Sequence, residues 1–147
     1  MPTSTGWVGA NDWTDPENAL SCNDQYATQT GDAADYYLQG YEDFDFPDLT
    51  GQTIDGIEVQ IHAKSTEGGK FVRCEIYSTS AGTWSDVKTD SFASSEEMKA
   101  YGGAVEKWGT TWVPSDFTND NFYLRISSEK EISNLSVDCI EVKVYSS

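Results

Sequence analysis

Alternation of apolar and polar positions is the clearest pattern in this chain. Ile57, Val59 and Ile61 share one parity and Glu58, Gln60 and His62 the other, which predicts a half-buried strand over residues 54–64. A second alternating run over 71–79 sets Val72, Cys74 and Ile76 against Arg73 and Glu75. The intervening Glu67-Gly68-Gly69-Lys70 reads as a hairpin connection. Shorter strands are predicted at 25–30, at the aromatic-rich 36–44 and at 87–93. They are bounded by Gly31-Asp32, by the turn cluster from Pro47 to Gly51 and by Ala81-Gly82.

The most informative stretch lies near the C-terminus, in residues 101–127 and the closing run 136–145. They read as two period-2 strands joined by a tryptophan-anchored turn that opens on Pro114-Ser115-Asp116. One helical turn is expected there, with the proline at its start. Phe122, Leu124 and Ile126 point inward on the first strand. On the last, Asp138, Ile140, Val142 and Val144 share a face opposite Cys139, Glu141, Lys143 and Tyr145. Residues 94–100 carry a Ser94–Glu97 capping-box spacing, which predicts a short helix. The sum is an all-β chain of about eight short strands, an antiparallel β-sandwich of jelly-roll type.

Length makes this one domain, residues 1–147. The 13% aromatic content is enough to build a core and argues against disorder. Nine basic residues against 25 acidic ones give a formal charge of -16. Such a surface repels phosphate backbones and anionic lipid, so neither nucleic acid nor membrane is an expected partner. No run approaches the roughly 20 apolar residues of a membrane span. The opening residues Met1 to Gly6 carry neither a basic nor an apolar segment of a signal peptide, which predicts synthesis in a cytoplasm.

Several segments, taken together, resemble a family of small jelly-roll domains in tailed-phage structural proteins and prophage regions. They are Trp13-Thr14-Asp15-Pro16-Glu17-Asn18-Ala19 with Asp24-Gln25-Tyr26-Ala27-Thr28, and Tyr37-Leu38 with Phe44-Asp45-Phe46-Pro47 and Thr53-Ile54-Asp55-Gly56-Ile57-Glu58-Val59. To these add Tyr101-Gly102-Gly103 through Trp108-Gly109 to Trp112-Val113-Pro114-Ser115-Asp116 and Asn121-Phe122, and finally Ser136-Val137-Asp138. The resemblance implies a non-enzymatic virion protein, a capsid decoration (cement) or fibre subunit. Such a subunit binds a major capsid or tail protein and self-associates as a homotrimer. The alternative is a carbohydrate-binding jelly-roll module, or a receptor-binding tip that recognises host glycans. The resemblance implies no catalytic residue. Where the family pattern has an aromatic after Val-Asp, this chain has Cys139.

Candidate chemistry is sparse. His62 is the sole histidine and reads as an ordinary exposed strand position. No nucleophile elbow, P-loop or HExxH motif is present, and no pair of carboxylates stands out for glycoside hydrolysis. Cys22, Cys74 and Cys139 are odd in number, widely spaced and free of CxxC, which argues against zinc and for separate reduced thiols. A Cys22–Cys139 or Cys74–Cys139 bridge stays open, because spacing does not give Cα distances. Asp12, Asp15 and Asp24, with Glu17, Asn18 and Asn23, could offer oxygens to calcium. They lack an EF-hand register, and Asx turns explain them without metal, so no cofactor is expected. Glu42, Asp43, Asp45 and Asp48 read as a solvated loop. Trp108 and Trp112 are expected to plug the ends of the sandwich, each indole N–H bonded to a loop carbonyl. Trp84, at a loop tip, is the best exposed contact, with Trp7 and Trp13 completing the expected interaction surface.

Overall fold

In the computed structural model the described residues are 1–2, 4–5, 13–29, 32–33, 38–65, 70–128, 131–132 and 135–147. Trp7 and Asp12 lie outside them. Among the described residues twelve strands run in chain order: β1 (Ser4–Thr5), β2 (Ala27–Gln29), β3 (Asp32–Ala33), β4 (Leu38–Glu42), β5 (Ile54–Ser65) and β6 (Lys70–Ser78). Then come β7 (Thr83–Trp84), β8 (Lys88–Phe92), β9 (Glu97–Gly103), β10 (Tyr123–Ser128), β11 (Glu131–Ile132) and β12 (Leu135–Ser146). Short 3-10 helices occupy Pro16–Ala19 and Pro114–Asp116, the second at the predicted proline-led turn.

The chain is an all-β sandwich of two antiparallel sheets. One has the order β2-β12-β5-β9. The other runs β1-β4-β10-β6-β7, with β8 also on β6, and β3 and β11 form a separate ribbon. Among strands of three residues or more, the chain changes sheet at every connection except β6 to β8. That alternation corrects the expected 67–70 hairpin. β5 pairs with β12 and β9, whereas β6 pairs with β10, β7 and β8, so the two strands lie in different sheets and do not pair with each other. Residues 66–69 themselves lie outside the described residues.

The predicted parity of β5 holds. Ile57, Val59, Ile61 and Ala63 are fully buried, facing Val72, Cys74, Ile76, Leu124 and Ile126 of the other sheet in one core. Fully burying one such aliphatic side chain is worth roughly 1.5–3 kcal/mol. Tyr101 of β9 spans the layer, its phenol donating to the Val72 carbonyl of β6 at 2.8 Å. Burial pushes its pKa far above that of an ordinary tyrosine.

Two elements differ from the sequence reading. Residues 97–103 form β9 rather than continuing a helix from Ser94, because seven positions pair with β5 from Ile57 to Ala63. The Ser94–Glu97 spacing does not make a cap. Instead Glu97 Oε1 accepts the Ala93 N–H at 2.9 Å and closes the turn into the strand. In β12 the ladder skips one residue: Val137 pairs with Ala63 and Cys139 with His62. This bulge at Asp138 shifts the parity, so Leu135 and Val137 before it and Ile140 after it are all buried.

Trp108 closes one end of the core. It is fully buried, and its Nε1–H donates at 2.8 Å to the Ile57 carbonyl, a strand carbonyl rather than the loop carbonyl expected. Its backbone sits at φ 58, a left-handed position costing an L-residue about 1–2 kcal/mol. The Glu106 carboxylate accepts the Trp108 N–H at 2.7 Å and holds that bend. This hydrogen bond, with Lys88 nearby, lowers the Glu106 pKa. Gly102 makes room for the ring: a Cβ there would lie 2.3 Å from the Ile57 oxygen and 2.6 Å from the indole nitrogen, at φ +81. Trp112 follows the plug expectation, its indole N–H donating to the Lys107 carbonyl at 2.9 Å.

Trp108→Ala should lower the unfolding free energy by about 3–5 kcal/mol in a urea titration. Gly102→Ala removes no contact, yet it should also shift the midpoint downward, because the added methyl group has no room.

Candidate functional site

Two loops meet at one end of the sandwich, residues 43–53 between β4 and β5 and residues 104–122 between β9 and β10. Asn119 joins them by reciprocal hydrogen bonds: its Oδ1 accepts the Asp45 N–H at 3.0 Å, and its amide donates to the Asp45 carboxylate at 2.7 Å. Between them lies an open groove of about 760 Å³, lined by Asp45 to Gly51 on one side and by Pro114, Ser115, Phe117, Thr118 and Asn119 on the other.

Aromatic packing and hydrogen bonds hold the two loops that wall the groove. Phe44, Phe46, Phe117, Phe122 and Trp112 form a linked aromatic cluster, with Phe46 edge-on to Phe122 at 4.9 Å and to Phe117 at 5.5 Å. Asp116 is buried and accepts from Ser80 N at 2.8 Å, Ser80 Oγ at 2.7 Å and Val113 N at 2.9 Å. Asn121 donates to the Ser115 carbonyl at 2.8 Å. On the opposite wall Asp48 accepts from the Thr50 N–H and hydroxyl, and these bonds lower its carboxyl pKa. The lining offers carboxylates, hydroxyls and an amide above Phe46, Pro47, Leu49, Pro114 and Phe117, and it contains no basic side chain. In the sequence these residues read as turns and a solvated acidic patch. Their signal was the paired aromatic-proline-aspartate composition of both loops, but nothing in the sequence put the loops at the same end.

The outer face of the six-stranded sheet carries a second cluster. Trp84 sits half-buried in β7 rather than at a loop tip, with the Arg125 guanidinium 3.9 Å from its ring centroid and Tyr77 edge-on at 5.2 Å. Arg125 makes a two-point ion pair with Glu75 at 3.1 and 3.0 Å. The rings of Tyr77 and Trp84 are inclined by 62° and those of Tyr77 and Tyr123 by 52°, so they do not make a flat stacking surface. Trp13, expected at the surface, is only 5% exposed and belongs to the core.

Of the acidic residues of the calcium alternative, Asp12 lies outside the described residues. Asp15 takes a left-handed turn at the start of the first 3-10 helix. Asp24 meets Glu96 and the buried Asp138, their oxygens within 4.8 Å of one another. Two of these carboxylates already have protein donors. Asp138 Oδ1 accepts from Asn23 N at 3.0 Å and Asp24 N at 2.9 Å, as expected of a buried carboxylate that ties down a loop. Glu96 accepts from the Tyr26 hydroxyl at 2.6 Å.

The cysteines correct the expectation of separate thiols. Cys22 and Cys139 form a disulfide across 117 residues, their Cα atoms 4.9 Å apart, and Cys74 remains free and buried in the core. His62, directly opposite Cys139 in the ladder, and Glu141 stand beside the bridge, and His62 is half-buried rather than at the exposed strand position expected.

No family model matches the chain, and no curated protein matches it. Among solved structures it is similar to the enzymatically active domain of tailspike protein 4 from bacteriophage CBA120. The identity is 10% and the TM-score 0.50, over 98% of this chain and 18% of that one. It is also similar to TmCBM61, solved in complex with β-1,4-galactotriose, at 9% identity and TM-score 0.46, over 88% of this chain and 77% of that one. The chain thus spans less than a fifth of the tailspike chain's length. At 10% identity the tailspike likeness shows the fold alone.

Asp116→Ala should leave the Ser80 and Val113 N–H groups without their acceptor, at about 1 kcal/mol for each of these part-buried bonds. Faster amide exchange at those two residues checks it. The hydrogen bond to Glu96 pushes the Tyr26 pKa up to about 12. The bond's contribution to stability is therefore complete below the ordinary tyrosine pKa near 10 and is lost as pH rises through about 12. In an NMR titration, Glu96→Gln should bring the Tyr26 midpoint back toward about 10.

Proposed function

We propose that this chain is a non-enzymatic recognition module of a phage virion, and that it holds a neutral or amine-bearing oligosaccharide in the groove between residues 45–51 and 114–119. The observation that carries the reading is the composition of that groove: an apolar floor under a rim of short oxygen and amide groups, with no cation. Proline and phenylalanine faces suit the C–H faces of a sugar ring. Asp45, Asp48, Thr50, Ser115, Thr118 and Asn119 suit its hydroxyls. A phosphate, sulfate or uronate group would meet carboxylates and no basic side chain, on a chain of charge -16. The anchored loops lower the entropy lost on binding. The inclined rings around Trp84 offer no comparable sugar platform.

The virion setting, on a tail or as a capsid-decorating homotrimer, rests on the sequence resemblance, and the fold likeness to a tailspike domain is in keeping with it. Multivalency in such an assembly would raise a weak glycan affinity without new contacts.

Calorimetric titration with a panel of neutral and amino oligosaccharides should find a ligand that Ser115→Trp and Thr118→Trp, which fill the groove from exposed positions, weaken at least tenfold at unchanged thermal stability. The recovered sugar should be intact. The reading fails if both fillings leave binding unaffected, if Tyr77→Ala abolishes it instead, or if the oligosaccharide is cleaved.

A further inference from the structure

The Cys22–Cys139 disulfide sits inside a metal-ligand set. Cys22 Sγ, Cys139 Sγ, a His62 ring nitrogen and a Glu141 carboxylate oxygen all lie within 4.8 Å of one another. Three of the four are fixed by the sheet: Cys139 and Glu141 are two apart on β12 and share its outer face, and His62 of β5 is the direct cross-strand partner of Cys139. Cys22 arrives from a loop that is fastened on both sides. Leu20 bridges to Cys139, and Asp138 Oδ1 accepts the N–H groups of Asn23 and Asp24. Glu141 Oε1 is already 3.8 Å from Cys22 Sγ.

We propose that these four residues are a zinc site in the reduced protein, so that the disulfide and a zinc centre of two thiolates, one imidazole and one carboxylate are alternative states of one place in the fold. The donor types are those zinc prefers. In a tetrahedral site with Zn–S of about 2.3 Å and Zn–N of about 2.0–2.1 Å, the ligand atoms stand roughly 3.3–3.8 Å apart. With the S–S bond broken, rotation of the exposed Cys22 side chain can open the two sulfurs to about that separation while the loop stays fastened. Reduction proceeds by thiol exchange. A thiol of the surroundings attacks the exposed Cys22 sulfur, Cys139 leaves, and a second thiol releases Cys22. Two electrons and two protons enter the protein, and the two reductant thiols become one disulfide. Zinc then displaces the two thiol protons and is held by all four side chains. Either state ties the 20–24 loop to β12. The disulfide does so in an oxidising medium, and the metal would do so where glutathione or dithiols open the bridge.

The test uses the full chain, oxidised or reduced with a phosphine and handled anaerobically. Zinc uptake is measured by competition with a chromophoric chelator, and cobalt(II) serves as the spectroscopic probe. Reduced protein should bind one zinc per chain, and its cobalt form should show thiolate-to-metal charge transfer and tetrahedral d–d bands. Oxidised protein should bind at least tenfold more weakly. His62→Gln, which leaves the disulfide able to form, should lose at least tenfold in zinc affinity, whereas Glu96→Gln in the neighbouring acidic group should not. If the reduced chain loses its near-ultraviolet dichroism, zinc but not magnesium should restore it. The proposal is overturned if the reduced, folded chain takes up no zinc, if oxidised protein binds equally well, if His62→Gln has no effect, or if zinc fails to refold a reduced chain that has opened.

Discussion

A carboxylate withdrawn from water must find hydrogen-bond donors, and this sandwich places two such groups where its loops need holding. Asp138, at the bulge in β12, gathers the Asn23 and Asp24 amides. Asp116, at the 3-10 turn before β10, gathers Ser80 and Val113. An ionised acceptor makes stronger hydrogen bonds than a neutral one, and an unpaired buried charge would be ruinous. Each aspartate therefore fixes its loop in one position. The first loop carries Cys22 to Cys139, and the second forms a wall of the groove.

The core between the sheets is of a simpler kind. Alternating aliphatic residues of β5, β6, β10 and β12 fill the layer, and the ends are closed by aromatic rings. Trp108 shows what closure demands. An indole cannot be buried without a partner for its N–H, so the ring reaches the Ile57 carbonyl. That reach sets a left-handed backbone at residue 108 and requires glycine at 102. At the loop end of the groove, Phe44, Phe46, Phe117 and Phe122 stack without any polar atom to satisfy, so the groove above them is free to be lined by ligand-facing polar groups.

The strands were legible because burial of one sheet face imposes a period of two. Ile57, Val59 and Ile61 of β5, and Phe122, Leu124 and Ile126 leading through β10, show it directly. Where a side chain found a different partner, reading failed. The Ser94–Glu97 spacing suggests a helix cap, but Glu97 accepts the Ala93 N–H at a turn into β9, since backbone pairing along β5 outweighs a weak local propensity. Trp13 carries no local sign of its burial, which depends on neighbours distant in the chain.

Composition, charge and alternation thus determined an acidic, all-β, two-sheet chain, because these are properties of single residues and of their immediate neighbours. The tertiary structure alone decided which distant segments share an end or a face. Asp45 meets Asn119 across 74 residues, and Cys22 meets Cys139 across 117. His62 acquires a chemical setting only because β12 lies beside β5 with one residue bulged out. Local sequence cannot encode such encounters. They follow from the order in which strands are laid into two sheets, and that order is chosen by the core as a whole.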